Sequence, residues 1–70
     1  MSVGANIRAR RETLGLTQAH VAAKAGVSQA MLSQIERGTR ALTVGLGQEI
    51  AGILQCSLGE LIGEQEKSAG

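Results

Sequence analysis

TQAHVAAKAGVSQAMLSQIER, residues Thr17–Arg37, holds two short apolar-periodic runs joined by a glycine-containing turn. Thr17 can N-cap the first run, because its hydroxyl can accept one of the N–H groups that an opening helical turn leaves without a partner. Val21, Ala22 and Ala25 then recur at helical spacing, and Gly26 supplies the positive φ that a helix stop uses. Val27 follows as an apolar plug. Ser28 can cap a second run, in which Leu32 and Ile35 face inward and Gln29, Ser33, Gln34 and Arg37 face out. About eight residues, a glycine turn and about nine more have the size of a helix-turn-helix unit.

Taken slightly wider, LTQAHVAAKAGVSQAMLSQIERG resembles the helix-turn-helix of the Cro and repressor family, also called the xenobiotic-response-element family. The marks are Gln18 after the cap, Ala22 facing the second helix, Gly26-Val27-Ser28 in the turn and the exit Ile35-Glu36-Arg37-Gly38. The similarity runs through roughly residues 5–62. It implies an all-α, compact five-helix bundle of the lambda-repressor-like type. It also implies a sequence-specific DNA-binding transcriptional regulator, in the first instance a repressor, with steric repression and contact activation both open to it. Such a protein would bind a near-palindromic operator as a homodimer, with the helix at 28–37 in the major groove.

The bulk properties allow that architecture. Seventy residues make one small domain, near the lower end of what folds without staples. Hydrophobic content is 43% with no Phe, Trp or Tyr, so the core must be aliphatic, which a helix bundle tolerates better than a sheet sandwich. One cysteine forms no internal bridge, and a reducing cytoplasm is the simplest setting. No apolar run approaches a membrane span, and the N-terminal residues lack the basic-then-apolar layout of a signal peptide. The net charge of +1 is unevenly placed. Residues 1–40 carry six basic against two acidic groups, and residues 41–70 carry Lys67 against four glutamates. A basic half beside an acidic half suits a polyanion on one face, although solubilising charge alone has the same appearance.

In chain order, Met1–Gly4 are expected to be loose. Asn6–Thr13 read as a first helix, with Ile7 and Leu14 inward and Arg8, Arg10 and Arg11 mostly outward. Thr43 can cap a fourth helix over Val44–Leu54, with Val44, Ile50, Ala51 and Leu54 as its core face. Ser57 can cap a short fifth helix, Leu58–Ile62, where Leu61 and Ile62 close the bundle. Residues 1–62 are thus assigned to the domain and 63–70, GEQEKSAG from Gly63, to a polar, flexible tail. The fourth helix departs from the family pattern, because Gly47 stands where relatives carry an aliphatic residue. Leu46 is expected to rotate in to fill the gap. Gly45, Gly47 and Gly52 each cost about 1 kcal/mol relative to Ala at interior helix sites. Either this helix packs closely on a neighbour or partner, or dimerisation rescues a marginal monomer.

The resemblance also assigns roles. Gln29, first after the Ser28 cap, lies on the leading end of the groove helix, where an amide can donate and accept at once, matching adenine N6 and N7. Ala30 on the same edge offers a methyl to thymine, and Ser33 and Gln34 complete the base-reading set. Met31 is either exposed near the groove or a filler of the bundle. Gln18 resembles a family residue that contacts phosphate and braces the first Gln of the next helix. Thr17, Arg11, Arg37 and Arg40 are the other candidate phosphate contacts. Relatives pair the Arg found here as Arg11 with the Glu found here as Glu36, which would leave Arg11 partly free for phosphate. Gln55, Leu58 and Ile62 are the candidate dimer contacts, with Glu60 and Glu64 on their rim. His20 has no ligand set around it, and Cys56 reads as a small hydrophobe. No catalytic constellation, cofactor motif, metal site or small-molecule effector site is evident, so an enzyme is not expected. The alternative to a DNA-binding regulator is a protein-interaction module, such as an antitoxin-like or regulatory subunit.

Overall fold

The computed structural model describes residues 2–63; Met1 and residues 64–70, which hold most of the expected tail and Glu64, lie outside the described residues. Five helices follow one another: α1 (Val3–Thr13), α2 (Gln18–Ala25), α3 (Gln29–Arg37), α4 (Val44–Ile53) and α5 (Leu58–Ile62). Every one starts on a Ser or Thr whose hydroxyl oxygen accepts a backbone N–H of the first turn. These caps are Ser2, Thr17, Ser28, Thr43 and Ser57. At Ser57 the arrangement is reciprocal, because the Glu60 carboxylate also accepts the Ser57 backbone N–H.

The core is aliphatic, as expected. Ile7 of α1, Val21 and Ala22 of α2, Leu32 and Ile35 of α3, Ile50, Ala51 and Leu54 of α4 and its end, and Leu61 of α5 are all buried. Each such side chain is removed from water at roughly 25 cal/mol per Å² of apolar surface. The α2–α3 joint is set by Gly26 at φ 74°, after which the Val27 N–H donates to Ala22 O at 3.0 Å and turns Val27 onto the core.

Several expectations need correction. The loose N-terminus is helical from Val3. Gly4 is buried because α1 crosses the end of α3 there, and a Cβ on Gly4 would press on Ile35 O and lie 2.7 Å from Glu36 O. Arg10 is not outward. Its Nε donates to Leu54 O at 2.9 Å and its Nη2 to Gln55 O at 3.2 Å, so a cation from α1 satisfies the last carbonyls of α4. The connection beyond α4 bends at Gln55, a non-glycine residue with φ 58°.

Val44 is 67% exposed rather than part of the core face, and Ile62 is 50% exposed while Leu61 alone of that pair is buried. Leu46 does pack against the core, but the space over Gly47 is filled from elsewhere. The Leu58 side chain of α5 and the Leu42 side chain of the preceding loop lie over it, within 2.8 and 3.3 Å of where a Cβ would be.

The glycines therefore differ in kind. Gly45 and Gly52 have no atom within 4 Å of an added Cβ. Replacing either with Ala should raise stability by about 0.5–1 kcal/mol, read as a higher Tm by circular dichroism. Gly4→Ala should lower stability toward the upper end of the about 1–3 kcal/mol of overpacking, since backbone oxygens stand in the way. A Gly4→Ala protein as stable as the parent would refute the close α1–α3 crossing.

Candidate nucleic-acid interface

The residues singled out from the sequence divide by burial into those that hold the motif and those that present it. Glu36, at the end of α3, is 7% exposed. A carboxylate so placed must be matched by donors, or it would remain neutral or destabilise the fold by several kcal/mol. Arg11 supplies two of them, Nε to Oε2 at 2.8 Å and Nη2 to Oε1 at 3.1 Å. Gln18 supplies a third, Nε2 to Oε1 at 2.9 Å. Arg11 Nη1 closes the set on Leu16 O at 2.9 Å. The hydrogen bond to Glu36 holds the Arg11 guanidinium above its ordinary pKa, against burial, which pulls it down.

This cluster joins α1, the entry of α2 and the end of α3. It also bears on two expectations. Arg11 is 9% exposed with one N–H of each guanidinium nitrogen engaged, so the expected pair with Glu36 is present and little of the guanidinium surface is left beside it. Gln18 braces Glu36 and not Gln29, and among the described residues no hydrogen bond joins the two glutamines.

On the presented side, Gln29 and Ala30 are exposed at the start of α3, with Ser33 and Gln34 half-buried further along. Met31 packs against the core, so the filler alternative holds. Thr17 is exposed and its hydroxyl accepts the His20 N–H at 3.0 Å. Arg37 and Arg40 are exposed around the exit of α3. Of the six basic residues before position 41, Arg8 pairs with Glu12 on one face of α1, Arg10 caps α4 and Arg11 is buried. Lys24, Arg37 and Arg40 carry the cationic surface that remains. One contact has no counterpart in the sequence pattern: Arg40 Nε donates to Gln34 Oε1 at 2.8 Å.

The other titratable groups lie apart from this surface. Cys56 is half-buried, and burial, with Glu60 adding to it, raises its thiol pKa while Arg10 opposes. His20 is exposed. Among the described residues no group of three or more His, Cys, Asp or Glu is placed to hold a metal ion. No helix among them is long and apolar enough to cross a membrane.

A short bundle whose second and third helices meet at a glycine turn, with a buried Arg–Glu pair tying the third to the first, has known relatives. Residues 7–61 match the Helix-turn-helix family. The chain belongs to the Cro/repressor-type helix-turn-helix family. It is 45% identical over 60 residues to the uncharacterised HTH-type transcriptional regulator y4dJ of Sinorhizobium fredii, covering 86% of this chain and 78% of that protein. It is 40% identical over 58 residues to the uncharacterised HTH-type regulator YazB of Bacillus subtilis, covering 83% and 84% respectively. The fold superposes on the P22 c2 repressor in its complex with a synthetic operator at a TM-score of 0.83 and 34% identity, covering 89% of this chain and 94% of that one. The chain thus has the fold of DNA-binding transcriptional regulators.

The buried cluster makes a sharp prediction about stability. Arg11→Ala strands the Glu36 carboxylate and should cost about 3–5 kcal/mol, enough to unfold much of a small domain at 37 °C. Arg8→Ala, which removes only an exposed i,i+4 pair, should change stability by well under 1 kcal/mol. Chemical denaturation of the two variants checks the contrast.

Proposed function

We propose that the chain is a sequence-specific transcriptional regulator, acting as a repressor, that binds double-stranded DNA with α3 in the major groove. The observation that carries this reading is the exposed leading edge of α3, Gln29 and Ala30, lying on the same helix whose exit presents Arg37 and Arg40. An uncharged hydrogen-bonding edge beside cations is the division of labour that base reading and phosphate binding need. The operator complex of the c2 repressor supports the choice of partner. Gln29, Ala30, Ser33 and Gln34 are the base readers in this proposal. Thr17, Gln18, Arg37 and Arg40 face the phosphates, with Gln18 offering its remaining amide N–H. No cofactor, effector or catalytic step is part of it.

A half-site read by one short helix holds little sequence information, so a homodimer on a near-palindromic operator is proposed, with recognition helices about 34 Å apart. The proposed contact is at α5, where Ile62 is the exposed apolar residue and Gln55 lies exposed before it. Leu58 is half-buried over Gly47, so it contributes its edge while also closing its own bundle. Val44 stands one turn before Gly47 on α4 and Ile62 one turn after Leu58 on α5, and both are exposed.

Gln29→Ala should weaken specific binding by about 1–3 kcal/mol, the worth of one bidentate base contact, and leave non-specific binding nearly unchanged. Arg37→Ala should weaken binding to all sequences and reduce the salt slope by about one. Binding titrations on specific and scrambled duplexes at two salt concentrations separate the two; identical profiles would refute the assignment. Ile62→Asp should yield a folded monomer in sedimentation with sharply reduced operator affinity. A folded variant that stays dimeric would move the interface elsewhere.

A further inference from the structure

We propose that Arg40 determines which bases Gln34 can read, by holding the Gln34 carboxamide with its oxygen toward the exit loop and its NH2 group toward DNA. The inference rests on the reading of α3 as the groove helix. Gln34 is tied to the exit loop twice. Its backbone carbonyl accepts from Thr39 N at 3.0 Å and from Thr39 Oγ1 at 3.2 Å. Its side-chain oxygen accepts from Arg40 Nε at 2.8 Å. The first pair of bonds fixes the course of the loop, and that course brings Arg40 to the amide.

The chemistry of the pair admits only one orientation. A guanidinium has donors and no acceptor, so a flipped amide would set NH2 against N–H with nothing to bond. Oxygen and nitrogen sit on opposite sides of the amide, and fixing one therefore fixes the other. A free Gln matches adenine by donating to N7 while accepting from N6. With its oxygen turned to Arg40, Gln34 presents its NH2 group to the groove, and the oxygen's second lone pair is turned away with the first. Base edges that only accept in the major groove then suit it: guanine through N7 and O6, or thymine through O4. Gln29 is exposed and has no such tether among the described residues, so it retains the adenine match. Arg40 makes no other hydrogen bond among the described residues, which leaves its terminal nitrogens available to phosphate while Nε positions Gln34. Arg40 is thus both a phosphate contact and a positioning residue.

Selection of bound sites from random duplexes, run in parallel on the parent, Gln34→Ala, Arg40→Ala and Gln34→Glu, tests this. Gln34→Ala marks the base position at issue by erasing its preference. There the parent should favour guanine or thymine over adenine by about tenfold, within the range of one base contact. Arg40→Ala should admit adenine at that position alone, with the rest of the selected sequence unchanged. Gln34→Glu keeps an acceptor for Arg40 but loses its donors, and should shift the preference to cytosine, whose N4 group donates. A parent preference for adenine there, an Arg40→Ala profile identical to the parent, or a Gln34→Ala profile with no altered position overturns the inference. A parent that enriches no sequence overturns the DNA-reading proposal itself, a result distinct from the other three.

Discussion

The Glu36 carboxylate is buried at the end of α3, and much of the motif's geometry follows from how its two oxygens are matched. Arg11 and Gln18 reach it from two other elements and meet both of its oxygens. A buried ion pair of this kind contributes less to net stability than its geometry suggests, because desolvating two charges offsets their attraction. What it does provide is a single permitted arrangement. The end of α3 cannot slide along α1 without stranding a charge, and α2 cannot rotate away without losing the Gln18 bond. Gly4 reinforces this by letting α1 settle directly on the carbonyls at the end of α3. The start of α3 is fixed separately, by the Ser28 cap and the turn at Gly26. Held at both ends, α3 can present Gln29 and Ala30 without ordering them anew for each binding event.

The same constraint revises the meaning of the charge count. The +4 of residues 1–40 looked like a polyanion face, yet half of the basic groups there serve the protein itself. Arg10 and Arg11 face inward to carbonyls and a carboxylate, and Arg8 is paired on its own helix. The cations left for phosphate are few and cluster at the exit of α3, with Lys24 on α2. In the proposed complex, a small number of cations would give a modest non-specific affinity, and sequence discrimination would rest on base contacts.

The caps Thr17, Ser28, Thr43 and Ser57 were legible in the sequence, because each is a hydroxyl residue directly ahead of a periodic run. The aliphatic core was legible for the same reason: period and side-chain type agree at Val21, Leu32, Ile35, Ile50 and Leu61. Ser2 and Gly4 were missed, since a glycine reads locally as a breaker and its use depends on carbonyls some thirty residues away. Val44 was misplaced because α4 has apolar or small residues on nearly every face, which blurs its period. Leu58 was read as a dimer contact, and its packing over Gly47 was not legible because it joins two helices through a missing side chain. The pairings Gln18–Glu36 and Arg40–Gln34 leave no periodic trace, because they join separate elements through side chains alone. The Arg11–Glu36 pair was anticipated only through family resemblance. The assignment of base readers depends on exposure and chemical type, which packing does not dictate.

The proposed contact with DNA is the edge formed by α3, the start of α2 and the exit loop. Backbone amide shifts followed by NMR while a duplex carrying selected sites is added test it most directly. The predicted changes concentrate at residues 17–18, 28–34 and 37–40, with a smaller set at 55–62 where two copies would meet. Changes confined to α4 and α5, with residues 28–34 unmoved, would contradict it.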